Sequence, residues 1–224
     1  TITQNAQNVS EVAADYYNQA KTLMRAAGFN LRRWSTNDPI LHKIIALNKD
    51  NDCMCLVNTL GLKWDSRTDT LTFPTVENPV RNSEHVTKRE ILKATSEVFD
   101  PLGLLSPVLV KAKIFIQKLW LDKCDWDEPL SPTLSQQWSA IHLDLCAVRT
   151  TTINRRYFEI VNDQPVQLHV FCDASANAYG AAAYLKYKHH VTLIIAKTRE
   201  KPLKNISLPR LELMATLIGA RRSH

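Results

Sequence analysis

Two acidic residues stand where a carboxylate is costly unless something uses it. Asp173 directly follows Leu168-His-Val-Phe-Cys172, an otherwise apolar run, so its charge must be solvated, paired or bound to a cation. Glu212 lies between Leu211 and Leu213, in a segment whose other charges are Arg210, Arg221 and Arg222. Paired oxygen donors of this kind can hold a divalent metal ion. The same residues also read as a strand-end turn aspartate and a surface glutamate beside an arginine, and their spacing alone does not separate these readings.

Other metal chemistry finds less support. The five cysteines, at 53, 55, 124, 146 and 172, are odd in number and scattered. Cys53-Met-Cys55 lacks both the two-residue spacer and the second Cys/His pair of a zinc site. They read as reduced thiols of an intracellular protein. No run of eighteen apolar residues and no leader-like N-terminus occurs, so no membrane partner is expected. The chain starts at Thr1 without Met and stops at Arg-Arg-Ser-His224, which suggests a fragment.

The net charge is +6, and its placement is informative. Residues 1–80 carry 8 basic and 8 acidic side chains, residues 81–164 carry 11 and 11, and residues 165–224 carry 9 and 3. The excess lies wholly in the last segment, as expected of a surface that meets a polyanion. An ordinary solvated face is the competing reading.

The elements that must position these residues follow from periodicity. Ser10 as N-cap and Gly28 as C-cap predict a helix over about 11–27. Phe29–Trp34 alternates, then breaks at Ser-Thr-Asn-Asp-Pro39. Leu60–Trp64 and Thr70–Phe73 flank a polar turn and predict a hairpin. Residues 74–82 read as a linker. Thr87-Lys-Arg-Glu90 is a capping box opening a helix that ends at Asp100-Pro-Leu-Gly103. Ser106-Pro107 and Ser131-Pro132 each predict a further helix start, the latter with Leu134, Trp138, Ile141 and Leu145 on one face. After residue 165 the period falls to two, giving three strands, at 168–172, 179–184 and 191–195, and then a helix capped near Ser207.

The combination Phe171-Cys-Asp-Ala-Ser175, Ala178-Tyr-Gly-Ala181, a strand ending at Ala196-Lys197 and Leu208-Pro-Arg-Leu-Glu-Leu213 resembles the ribonuclease H domain of reverse transcriptases. The resemblance extends to the Pol polyprotein of Pao/BEL retrotransposons. It rests on Gly28-Phe-Asn-Leu-Arg-Arg-Trp-Ser-Thr-Asn37, Leu60-Gly-Leu-Lys-Trp-Asp65, Thr87-Lys-Arg-Glu-Ile-Leu92, Phe99-Asp-Pro-Leu-Gly-Leu-Leu-Ser-Pro107, Gln117-Lys-Leu-Trp120 and Trp126-Asp127.

The resemblance implies an α+β chain in three parts. Residues 1–82 would be the C-terminal part of the reverse transcriptase palm, a helix plus a primer-grip-like β-hairpin. Residues 83–162 would be a helical thumb/connection module, and residues 163–224 the N-terminal half of a ribonuclease H-like domain, an incomplete β-meander plus helix. Asp173 and Glu212 become catalytic metal ligands, with Mg2+ or Mn2+ the expected ion. The expected partners are an RNA/DNA hybrid or other nucleic acid duplex and the rest of the Pol polyprotein, in the cytoplasm, a virus-like particle or the nucleus. Trp64, Lys88, Lys93, Lys111, Lys113, Lys197, Arg199 and Arg210 are the candidate nucleic-acid contacts. Two departures limit this. The chain has no Asp-Asp pair for DNA synthesis, and two carboxylates are fewer than the four a two-metal nuclease usually takes. The chain is therefore expected to be inactive alone; a degenerate or domesticated relic that only binds nucleic acid is the alternative.

Overall fold

The computed structural model describes residues 2–47, 55–59, 61–73, 86–148, 150–158 and 165–222, with side chains from Val9 onward in the first helix. They divide into two compact units, residues 1–59 with 63–71, and residues 60–62 with 72–224.

The first unit opens with α1 (Ile2–Ala26), which begins well before residue 11. Ser10 is therefore not its cap. It is buried within the helix, and its hydroxyl donates to Asp38 Oδ2 at 2.6 Å. The helix end follows the sequence. Gly28 has φ +81°, its N–H reaches Arg25 O, and the Phe29 N–H reaches Met24 O, the two bonds of a Schellman cap. Residues 29–34 run without regular structure despite their alternation, and α2 (Pro39–Leu47) follows. Asp38 starts it by accepting the Leu41 N–H at 2.7 Å, with Pro39 in the first turn where no N–H is required. Burial pushes the Asp38 carboxyl up. Hydrogen bonds from Leu41, Ser10 and Ile40 outweigh that and hold it below the usual carboxylate range.

Tyr17, Leu41 and Ile45 form the core of this unit, and Trp34 stands edge-on to Tyr17 at 4.6 Å. β1 (Leu56–Thr59), β2 (Leu62–Asp65) and β3 (Thr70–Thr72) are successive neighbours in one sheet, so the expected hairpin forms. Cys53 and the linker expected over 74–82 lie outside the described residues.

The second unit starts at α3 (Lys88–Ser96), closed by the reciprocal Thr87–Glu90 capping box. At the next turn both Asp100 carboxylate oxygens accept backbone N–H groups, from Leu104 at 3.0 Å and Leu105 at 2.8 Å. α4 (Ser106–Leu121) thus begins with Leu105 at the cap position and without a Ser106 hydroxyl cap; Ser106 is the first, buried residue of the helix. α5 (Pro132–Val148) packs on α4, with Phe115 stacked on buried Trp138 at 6.0 Å. β4 (Thr152–Asn154) follows; its three residues carry no sequence signal that sets them apart.

The last layer is an antiparallel meander, β5 (Gln167–Ala174), β6 (Ala178–Tyr187) and β7 (His190–Glu200), with each strand longer than its apolar run suggested. α6 (Leu208–Ala220) lies across β5 and β6, burying Leu211, Ala215 and Gly219 at four-residue spacing. A Cβ at Gly219 would run into Cys172 Sγ, so that side chain would have to move to admit one. The other edge, β7, is covered by the helical module. The Ala196 N–H donates to Leu102 O at 2.8 Å, and Gln117 Nε2 donates to Lys201 O at 2.6 Å.

Candidate functional site

Asp173 is the next-to-last residue of β5, paired with Gly180 of β6. A short, self-bonded turn fixes the position. The Ser175 hydroxyl accepts the Asn177 and Ala178 N–H groups, and the Ser175 N–H donates to Ala178 O at 2.8 Å. The Lys201 N–H ties the same turn to the end of β7 through Asn177 O. Strand alternation then decides which way each side chain faces. Cys172 meets α6 at Gly219, so Phe171 and Asp173 face the opposite side of the sheet. There Asp173 is exposed, accepts its neighbour Ala174's N–H at 2.8 Å, and lines a pocket of about 370 Å³ with Phe171, Gly180, Gly103, Ser106 and Pro107.

Glu212 sits in the first turns of α6, exposed beside buried Leu211. It does not line the pocket that holds Asp173. Ser207 is the N-cap residue as expected, but its backbone carbonyl, not its hydroxyl, takes the first N–H groups. Both candidate acids are hard, exposed oxygen donors, which suits a Mg2+ or Mn2+ ion in donor type. Among the described residues no group of three or more His, Cys, Asp or Glu side chains gathers.

The candidate nucleic-acid contacts separate by environment. Lys88 lies in the interior of the second unit. It is 3% exposed, its ammonium lies 3.5 Å from the Trp120 ring centre and 5.0 Å from that of Trp126, and it donates to Cys124 O at 3.1 Å. An ammonium enclosed in this way offers a phosphate no approach. Lys111 is exposed but held by Asp144 at 2.8 Å. Trp64 is half-buried, its indole N–H donating to Asp69 at 3.0 Å. Lys93 and Arg210 are exposed on α3 and α6. Lys113, Lys197 and Arg199 are brought together by the fold, on the walls of one cleft.

Sequence reasoning missed α2 and this convergence. Asp38-Pro39 is a helix-start signal that would have found α2; nothing local signals that Lys113 of α4 comes to face β7.

An antiparallel meander covered by a helix, with a carboxylate at the end of its first strand, defines an α+β protein compatible with a ribonuclease H-like domain. Compared with known protein families, residues 87–224 match the Pao retrotransposon-like RNaseH-like domain. That is more than half of the chain, and the chain belongs to this family, within a Pao/BEL retrotransposon Pol region. The match begins at Thr87, the cap of α3, and so takes in the helical module and the meander together. None of the curated proteins compared with the chain matches it. No helix among the described residues is long and apolar enough to cross a membrane.

Proposed function

We propose that this chain is a nucleic-acid-contacting part of a retrotransposon Pol polyprotein, with Asp173 and Glu212 supplying metal-binding carboxylates to its ribonuclease H-like site. The observation that carries this reading is that one family match spans both acids, with Asp173 held at a strand end, on the sheet face away from α6, and Glu212 exposed in the first turns of α6. A bound Mg2+ or Mn2+ would polarise the scissile phosphate and lower the pKa of an attacking water. The chain's own contribution is to present oxygen donors from a braced strand end and a packed helix. Residues 1–82 would act as the palm end, with the 62–72 hairpin steadying a primer strand, and the helices within 83–162 as thumb and connection along an RNA/DNA template-primer duplex.

With only two acids so placed, the isolated chain would bind without cleaving. A second reading is a degenerate or domesticated relic that binds nucleic acid without catalysis; the presence of both Asp173 and Glu212 speaks against it, because a relic tends to lose its carboxylates first. Both readings are tested with a labelled RNA/DNA hybrid and added Mg2+ or Mn2+. The expected result is binding that weakens by orders of magnitude between about 50 and 200 mM salt, with the RNA strand left intact. A flat salt profile would remove the nucleic-acid reading. Metal-dependent cleavage that disappears in Asp173→Asn would overturn the claim of inactivity while keeping the site.

A further inference from the structure

Between α3, α4 and the C-terminal half of β7 lies a cleft of about 700 Å³. Its cations come from two elements, Lys113 from α4 and Lys197 with Arg199 from β7. Lys197 and Arg199 are two positions apart on a strand, so they share a face and stand about 6.7 Å apart along it. That is comparable to the separation of neighbouring phosphates along one extended nucleic acid strand.

The side chains of Lys113, Lys197 and Arg199 enter no hydrogen bond or ion pair among the described residues, whereas Lys111 and Lys118 on the same helix α4 are held by Asp144 and Gln137. The acids of the cleft do not neutralise the three cations. Asp100 and Glu200 leave the lining with one net positive charge, and both Asp100 oxygens are already taken by the Leu104 and Leu105 N–H groups rather than by a cation. Leu92 and Ile116 add apolar surface between the charged groups. The walls that carry the cations are tied at both ends, by the Ala196–Leu102 and Gln117–Lys201 bonds.

We propose that this cleft holds the phosphate backbone of a single nucleic acid strand, gripped by Lys113, Lys197 and Arg199. The proposal rests on the nucleic-acid reading above and assigns it a surface. Sites of 300–1,000 Å³ enclose ligands of small-molecule size, so a few nucleotides of one strand fit where a duplex does not enter.

The test is fluorescence anisotropy of the full chain with a labelled oligothymidylate across a salt series. Three contacts at about 0.7 each predict that Lys113→Gln/Lys197→Gln/Arg199→Gln lowers the log–log salt slope by about 2, with affinity falling at least about tenfold. A control removing equal charge from exposed positions outside the cleft, Lys123→Gln/Lys186→Gln/Lys204→Gln, should keep most of the slope. Each single cleft variant should lower it by about 0.7, which keeps the test decisive if the triple variant folds poorly. Equal losses in cleft and control variants, or an unchanged slope in the cleft variants, would overturn the proposal while leaving the nucleic-acid reading intact. Competition by poly-glutamate as strong as by oligothymidylate would reassign the cleft to acidic proteins. Absence of binding to every nucleic acid by the wild-type chain would defeat both readings.

Discussion

The Lys88 ammonium lies 3.5 Å from the centre of the Trp120 ring, joining the start of α3 to the end of α4 across 32 residues of chain. Its third neighbour, the Cys124 carbonyl, accepts its hydrogen bond, so the charge is enclosed and partnered. Arg89 reinforces the same junction with two bonds to Asp127, at 2.7 and 2.9 Å.

Replacing Lys88 by Met keeps the aliphatic stem and removes the charge. A desolvated cation–π contact contributes about 2 kcal/mol and a charged hydrogen bond about 1.5–3 kcal/mol. Relief of the ammonium's desolvation offsets part of that sum, so the variant should lose roughly 2–4 kcal/mol in chemical denaturation, with its salt slope for nucleic acid unchanged. A large loss of affinity in a fully folded variant would restore Lys88 as a phosphate contact.

The Arg89–Asp127 pair gives a pH signature. The hydrogen bond from Arg89, aided by its charge, lowers the Asp127 pKa. A depressed carboxyl contributes stability above its unfolded pKa and loses it as pH falls through the folded value. Carboxyl NMR should therefore find Asp127 titrating below an ordinary aspartate, and Arg89→Gln should move it up towards that value. An unmoved midpoint would show that Arg89 is not the cause.

Gly103 has φ +70°, and a Cβ there would meet the Ala196 carbonyl. Gly103→Ala should cost at least about 2 kcal/mol. It should also open the Leu102–Ala196 bond, read as faster hydrogen exchange at the Ala196 amide. Protection equal to wild type would show that the β7 edge does not depend on this turn.

Trp138 is 2% exposed against Phe115 in the α4–α5 interface. Trp138→Ala should destabilise the second unit by about 3–5 kcal/mol. A change in melting temperature too small for that range would mean the interface repacks around the cavity.

Asp173→Asn and Glu212→Gln separate function from folding. Both side chains are exposed, and the only hydrogen bond to the Asp173 carboxylate among the described residues comes from the adjacent Ala174 N–H. Each variant should stay within about 0.5 kcal/mol of wild type while weakening Mn2+ binding measured by calorimetry. Unchanged Mn2+ binding in both would remove them as metal ligands.

Features that depend on a few neighbouring residues were legible in the sequence. The Thr87–Glu90 box, the Gly28 helix end, the hairpin turn at 66–69, the helix after Ser131 and the three strands after 165 all formed, because each is set by local hydrogen bonds and period. The failures were also local readings. Ser10 reads as a cap until its hydroxyl is found bonded to Asp38, 28 residues away. Residues 29–34 alternate as a strand does, yet they connect two helices and place Trp34 on Tyr17.

By itself the sequence determined the chemistry available and its local frame: Asp173 at the end of a strand, Glu212 in the opening of a helix, and a basic excess after residue 165. Only the tertiary structure decided which charges remain usable. Lys88, Lys111 and Lys113 look alike along the chain, but packing encloses the first between two tryptophans, pairs the second with Asp144 and sets the third opposite Lys197 and Arg199. The physical reason is that a cation's role depends on what surrounds it in space, and those neighbours come from elements distant in sequence.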